Sequence, residues 1–330
     1  MSHRNRRSNL QSSRRCVIYS TMEADADKHS ADRHYADAYY PSLLAEDVAN
    51  GLLPSRRHRQ PPYNVLWTPP DKEVEQLVAR AIARPEDDYA GWHAYLSDSL
   101  EDFVHDCAHT VMLYEKAIYE IVYWSDPETD RAVEFQLRLI TSGSVKWMNG
   151  KPFQHLPQSV ARRCDVESPI ELNSADLLIV VPPQYVRDSF SQMLETIARA
   201  DAMKRIMSAL HQSETSPRAT LNPSELRHSE FLTVARATRE IGWNARGLIE
   251  EYFDTFYLVE RQIRFEKFRA QLRASILSAL NEGLACAGRR IGFSGQITLE
   301  GISSFADIEQ IETKFFSGEV SAQEVIAAFQ

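Results

Sequence analysis

The chain has 330 residues, a formal net charge of −9, 43% hydrophobic residues and 25% charged residues. This composition is typical of globular proteins and excludes a fibrous repeat or a fully disordered chain. The longest aliphatic run, residues 177–181, is far shorter than the roughly 20 residues that cross a bilayer, so we predict no transmembrane helix and no membrane partner.

Residues 1–62 are predicted to form a flexible basic N-terminal extension. Five arginines precede the first acidic residue, Glu23, and residues 56–62 (RRHRQPP) have the composition of a solvated linker. Two interpretations remain open, a disordered tail or a basic arm that meets a partner or nucleic acid.

Residues 63–183 have mixed helix and strand patterns. Asp71 follows two prolines and predicts a helix start, and the apolar spacing up to Ile82 predicts a helix that ends before Pro85. A second helix is predicted over residues 99–114.

Strand patterns follow this second helix. Residues 117–124 are rich in β-branched and aromatic side chains, and residues 132–140 alternate, which predicts a half-buried strand with Gln136 on its polar face. Asn149-Gly150 predicts a hairpin, and residues 177–181 predict a further strand. These features predict a small antiparallel sheet with flanking helices.

The remainder of the chain, residues 184–330, is predicted to be helical. One long helix covers about 185–210, and another helical stretch covers 224–282 with an interruption at Gly242 or Gly247. Residues 292–301 have an irregular pattern. Two short helices with Ser–acid caps, Ser304 with Asp307 and Ser321 with Glu324, end the sequence. The predicted fold class is therefore α+β, with long helices in the C-terminal half.

The densest basic run is the candidate DNA-channel or interface site. It consists of Arg261, Arg264, Lys267, Arg269 and Arg273. A cationic helix stripe is typical of nucleic-acid contact. The alternative is a solvated helix face, because the run interleaves with Glu260 and Glu266.

Signatures of common enzyme classes are missing from the sequence, which contains no P-loop, no G-x-G-x-x-G, no G-x-S-x-G and no H-E-x-x-H. The best catalytic alternative lies on the second helix, where Asp102, His105 and His109 share one face and Cys107 lies beside the histidines. This spacing suits a metal or an activated thiol, although helical histidine pairs also pack or face solvent.

The order of elements around residues 114–145 carries a family resemblance. It is similar to the wing region of tailed-bacteriophage portal proteins, in which an apolar helix leads through Y-G-x-A-(F/Y)-E-(I/V) into a sheet and an (I/L)-P-P-x-x-V turn follows. The matching residues are Tyr114, Ala117, Tyr119, Glu120 and Ile121. Glu115 stands in place of the glycine, and residues 141–142 (TS) stand in place of the prolines.

Later segments extend the resemblance in patches over about 100–330. Residues 176–180 look like the strand before the family's long helices, and residues 258–284 look like a helix of its hip or stem. Residues 316–324 (FSGEVSAQE) are similar to the G-x-(I/V)-(S/T)-x-x-E pattern that often ends these chains.

The resemblance implies a structural protein without catalytic residues, metal or cofactor. It implies a homo-oligomeric ring, typically of twelve subunits, at a capsid vertex of a virion assembled in the bacterial cytoplasm. Double-stranded DNA passes through such a ring, and terminase, capsid and head–tail connector proteins dock on it. In this interpretation residues 63–183 are a wing-like domain and residues 184–330 a hip- or stem-like domain.

Net charge agrees with a DNA conduit, since a tight grip on phosphates would oppose sliding. Two other functions remain as alternatives. One is a metal- or thiol-dependent enzyme centred on Asp102, His105, Cys107 and His109. The other is a helical adaptor that binds a protein partner through residues 224–282.

Overall fold

The computed structural model describes residues 11–12, 38–53, 63–83, 95–163, 167–212, 223–247 and 253–329. The chain divides into two compact units. From residue 34 onward, the first unit comprises residues 53–181 and 275–302, and the second comprises residues 34–52, 182–274 and 303–330. Residues 11–12 belong to the first unit. The predicted α+β class is confirmed.

The secondary structure elements are numbered here in chain order. The described strands are β1 (Gln11–Ser12), β2 (Asn64–Thr68), β3 (Ala117–Ser125), β4 (Ala132–Ile140), β5 (Val145–Met148), β6 (Lys151–Gln154), β7 (Ile170–Glu171), β8 (Leu177–Val180) and β9 (Gln296–Glu300). The described α-helices are α1 (Tyr39–Leu52), α2 (Lys72–Ile82), α3 (Leu96–Tyr114), α4 (Gln158–Arg163), α5 (Gln184–Gln212), α6 (Pro223–Ala237), α7 (Thr255–Ile291), α8 (Phe305–Phe316) and α9 (Ala322–Ala328).

The described strands of the first unit form three antiparallel sheets. In the largest, β3 pairs with β4 on one side and with β1 and β8 on the other. The second sheet is the meander β5–β6–β7. Its first turn is the predicted hairpin, in which Asn149 and Gly150 have φ values of 52° and 76°, as a type I′ turn requires. The third sheet pairs β2 with β9.

The polar face of β4 differs from the sequence prediction. Gln136 is only 3% exposed, whereas Val133 on the predicted apolar face is 39% exposed. Gln136 is the cross-strand partner of Val122 and lies on the same face as Ile118 and Ile140. Those two isoleucines pack against Val145 of the meander. A second sheet therefore covers the face that the alternation assigned to solvent.

Residues 292–301 were predicted to be irregular, and this prediction was wrong. They contain β9, which pairs with β2 in the register Trp67 to Ile297. Gly295 next to β9 has a φ of 148°, and an added Cβ would lie 2.3 Å from the indole of Trp67. The pairing joins segments more than two hundred residues apart, which local patterns do not reveal.

The second unit includes part of the predicted flexible extension, and here too the structure differs from the prediction. Residues 39–52 form α1, whose inner face buries Tyr40, Leu44, Val48 and Leu52. These positions follow the i, i+4 spacing of an amphipathic helix. Most other residues of the predicted extension lie outside the described part of the chain.

The interrupted helical stretch is confirmed in this unit. Helix α6 ends at Ala237, and α7 begins at Thr255. Gly242 and Gly247 both have positive φ, 76° and 81°, and so do the non-glycine residues Ala245 and Arg246. Helix α7 has 37 residues and is therefore about 55 Å long. None of the described helices has the length and apolarity needed to span a bilayer.

The N-terminal caps that the sequence predicts for the last two helices are both present. Ser304 and Asp307 form a reciprocal capping box at the start of α8, and Ser321 and Glu324 form another at the start of α9. Hydrogen bonds from the cap serines hold the carboxylates in the charged form and lower the pKa of Asp307 and of Glu324 below their usual values.

We expect Ser304→Ala to return the pKa of Asp307 towards its ordinary value, because the side-chain hydrogen bond that favours the carboxylate is lost. A depressed folded-state pKa stabilises the protein above the ordinary pKa, and this stabilisation is lost as the pH falls through the folded value. Carboxyl titration by NMR measures the shift. The control is Ser303→Ala, and an Asp307 pKa unchanged by Ser304→Ala would contradict the prediction.

Candidate functional site in the long helix

The five predicted cations all lie on α7, in the part that belongs to the second unit. Arg261 is the most buried of them, with 0% exposure. Its guanidinium donates four hydrogen bonds, all to neutral acceptors. Nε donates to Asn244 Oδ1 at 3.0 Å and Nη1 to Ala235 O at 2.9 Å. Nη2 donates to Thr238 Oγ1 at 2.9 Å and to Trp243 O at 2.5 Å. Its carbon Cζ also lies 5.8 Å from the centroid of the Tyr257 ring.

Arg261 acts as a cap for the preceding helix. Ala235 lies in the last turn of α6, where backbone carbonyls lack helical partners and the helix dipole is negative. Burial disfavours the cation and lowers the pKa of Arg261. Since the side chain is buried and donates four hydrogen bonds within the unit, Arg261 is not exposed for contact with DNA in this conformation.

Arg264 and Arg269 each form an ion pair with a neighbouring glutamate of α7, as the alternative interpretation of an interleaved charged helix face predicts. Arg264 pairs with Glu260, and Arg269 Nη1 lies 2.7 Å from Glu266 Oε1. Arg269 also donates from Nη2 to Asp47 O at 2.5 Å and stacks over the Phe265 ring at 4.1 Å. The Arg269–Glu266 pair is mostly buried, so it packs inside the unit and does not form a solvated face.

Lys267 and Arg273 connect α7 to other elements of the same unit. Lys267 Nζ lies 2.7 Å from Glu312 Oε2 on α8. Arg273 donates to Leu52 O at 2.9 Å, at the end of α1, and to Ser303 O at 2.5 Å. Burial lowers the pKa of Arg273 to about 10. Four of the five cations thus contact α1, α6 or α8, Arg264 pairs with Glu260 on α7 itself, and none of the five is fully exposed.

One part of this network was missed by the sequence analysis. Asp47 on α1 accepts from Trp243 Nε1 at 2.8 Å and from Arg246 Nε at 2.6 Å. Arg246 also lies 2.8 Å from Glu46. These contacts hold the turn between α6 and α7, in which Arg246 has a positive φ of 54°. The signal that could have revealed them is the apolar spacing of residues 40–52, which marks α1 as a packed helix.

The histidine and cysteine cluster of α3 is described by its ring contacts, its possible metal ligands and the burial of its thiol. The rings of His105 and His109 stack with centroids 6.2 Å apart. Within the described ranges, no group of three His, Cys, Asp or Glu side chains is placed to hold a metal ion. Cys107 is fully buried, and burial raises the pKa of its thiol. Among the described residues, this cluster therefore presents no three-ligand metal site and no exposed thiol.

Helix α3 ends in a left-handed residue at its transition to β3. Glu115 has a φ of 64°, and its N–H donates to Val111 O at 2.9 Å. A left-handed residue directly after a helix is usually glycine, because glycine carries no Cβ. Glu115 therefore occupies a backbone position that ordinarily favours glycine.

We expect Glu115→Gly to stabilise the protein by about 1 kcal/mol. Removing a left-handed L-residue gains roughly 1–2 kcal/mol, and the greater backbone entropy of glycine in the unfolded state offsets part of that gain. Urea denaturation measures the change. Glu115→Ala is the matched control, since it removes the same side chain and keeps the strain. Equal stability of the glycine and alanine variants would contradict this account of the turn.

Comparison with known proteins does not assign the chain to a family. No family model matches it, and no curated protein matches it either.

Proposed function

We propose that the protein is a structural, portal-like subunit that assembles into a ring at a capsid vertex and forms a conduit for double-stranded DNA. Terminase, capsid and head–tail connector proteins would be its partners, and the virion its location. The observation that carries this proposal is the α3-to-β3 transition, in which Glu115, at the position where the portal pattern has glycine, has a left-handed φ of 64°.

The turn after β4 departs from the pattern in sequence. The portal pattern has two prolines at this point, and here Ser142–Ser144 form a 3₁₀ turn that leads into β5. Proline favours the φ values of such turns. The hydroxyl of Ser144 donates to Thr141 O at 2.7 Å, and that of Ser142 donates to Lys116 O at 2.7 Å. Side-chain hydrogen bonds thus fix the turn in place of the rings of proline.

The closing pattern also has a physical basis in this chain. Gly318 has a φ of 78° after α8, and Ser321 and Glu324 form the capping box of α9. Three of the four pattern positions, Gly318, Ser321 and Glu324, therefore correspond to residues with a specific backbone role. This supports the resemblance over the last part of the chain.

Charge and helix length are compatible with a conduit. The net charge of −9 does not favour bulk attraction to DNA, which suits a channel through which DNA slides. Since the five cations of α7 bind inside the second unit, residues that face DNA would come from other surfaces. Helix α7, at about 55 Å, is long enough to line much of a channel wall.

The test is the mass of the purified protein, measured by light scattering behind a sizing column, with negative-stain images of the main peak. We expect ring-shaped particles with a mass near twelve times the 37.7 kDa of the chain. A monomer at all concentrations, with or without purified terminase, would contradict the proposal. A defined complex with one partner protein and no ring would favour the helical adaptor.

A further inference from the structure

Two exposed phenylalanines form a feature of the second unit that we call the aromatic patch. Phe256 is 51% exposed and Phe316 is 54% exposed. Their ring centroids lie 5.9 Å apart, and Phe256 also stacks on the buried Phe315 at 4.9 Å. Adjacent large apolar side chains at the surface are typical of contact sites.

The rim of the aromatic patch is acidic. Asp254 and Glu319 are exposed, and their described hydrogen bonds come from neutral donors, the Tyr257 N–H at 2.8 Å and the Ser317 hydroxyl at 2.8 Å. The exposed cation Lys314 lines the same surface concavity as Glu319, so the rim has one more negative than positive charge. A partner surface should therefore be apolar in the middle and basic at its edge.

A groove of the same unit has these properties. It lies between α5 and the end of α6 and has a volume of about 230 Å³. Its lining is mixed, with the buried apolar side chains Val186, Phe190, Met193 and Ile241 and the polar residues Ser189, Gln192 and Thr196. An apolar cavity of about 150 Å³ accepts a benzene ring, so the groove is large enough for a phenylalanine side chain.

The edge of the groove carries two exposed arginines, Arg236 and Arg239, on one side of α6 and the turn after it. The acidic residue of the groove, Glu240, accepts a hydrogen bond from Ser189 at 2.7 Å. The edge therefore has one more positive than negative charge, opposite in sign to the rim of the aromatic patch.

We propose that the aromatic patch of one copy inserts into the α5–α6 groove of a second copy. Like charges oppose contact of two patches, because each has an acidic rim, and also oppose contact of two grooves, because each has an arginine edge. Patch-to-groove contact is therefore heterologous, the type that builds rings when the rotation closes. The inference rests on the proposed function only in assuming that the protein assembles from copies of itself.

Two full-length variants test this contact. The patch variant is Phe256→Ser with Phe316→Ser, and the groove variant is Arg236→Glu with Arg239→Glu. We expect each alone to sediment as a monomer, with self-association weakened by about tenfold or more. In an equimolar mixture, the intact patch of the groove variant can meet only the intact groove of the patch variant. The mixture should therefore form a dimer and nothing larger. Circular dichroism and melting curves check that both variants fold.

A second test leaves Phe256 and Phe316 unchanged and alters only charged side chains, again with assembly as the measured quantity. Glu319→Lys should weaken assembly, and adding Arg239→Glu in the same chain should restore it, because the two charges are then exchanged. Arg199→Glu, which changes an exposed arginine of α5 outside the groove lining, is the control.

Several results would overturn the contact. These are a wild-type monomer at high concentration, variants that assemble like the wild type, or a mixture that stays monomeric. Rings that persist in both variants would overturn the patch–groove contact and leave the portal-like proposal standing. Open filaments that depend on patch and groove, without closed rings, would support the contact and contradict the portal-like proposal.

Discussion

Arg261→Ala is expected to destabilise the second unit by about 4 kcal/mol. The side chain donates to Ala235 O, Thr238 Oγ1, Trp243 O and Asn244 Oδ1. Each buried acceptor left without a donor costs about 1–3 kcal/mol, and the truncated side chain also leaves a cavity. Urea denaturation followed by tryptophan fluorescence measures the loss, and hydrogen exchange assigns it to the second unit.

Two further variants show whether this loss comes from the hydrogen-bond geometry or from the charge. Arg261→Lys keeps the charge but loses the planar fork, so it should recover less than half of the stability. Arg264→Ala removes a cation that lies nearer the surface and pairs with Glu260, and it should cost about 1 kcal/mol or less. Equal losses for Arg261→Ala and Arg264→Ala would contradict the role of Arg261 as a buried cap.

Gly242→Ala is expected to destabilise the same unit by about 3 kcal/mol or more. Gly242 has a φ of 76°, and an added Cβ would lie 2.0 Å from Arg261 O and 2.9 Å from the Phe265 nitrogen. These are backbone atoms of α7, so the clash can be relieved only by moving the helix. The backbone strain of about 1–2 kcal/mol and the overpacking cost of about 1–3 kcal/mol add at this position.

Gly318→Ala is the matched control for this effect. Gly318 lies in the same unit and has nearly the same φ of 78°, but nothing lies within 4 Å of an added Cβ. Its substitution should cost only the backbone strain, about 1 kcal/mol. The difference between the two alanine variants in urea denaturation therefore measures the close approach of the turn to α7. Similar losses for both variants would show that φ alone matters.

Several elements could be predicted from the sequence because their signals are local. The hairpin at Asn149-Gly150 follows from residues that tolerate positive φ. The capping boxes of α8 and α9 follow from side chains three positions apart. The interruption at Gly242 and Gly247 follows from glycine, which permits left-handed turns.

The site could be predicted only in part. The acid pairs Arg264–Glu260 and Arg269–Glu266 follow from i, i+4 and i, i+3 spacing on one helix. The burial of Arg261 could not be predicted, because its acceptors lie 17 to 26 positions away in the chain. A charged residue in a helical pattern is ordinarily expected at the surface.

Only the tertiary structure decided the features that join distant segments. The pairing of β2 with β9 and the contacts of α1 with the α6–α7 turn join parts of the chain about two hundred residues apart. Sequence by itself determined the α+β class, the local turns and the caps, since these depend on neighbouring residues. Tertiary structure decided which cations are buried, because burial depends on what packs against a helix face and not on the face alone.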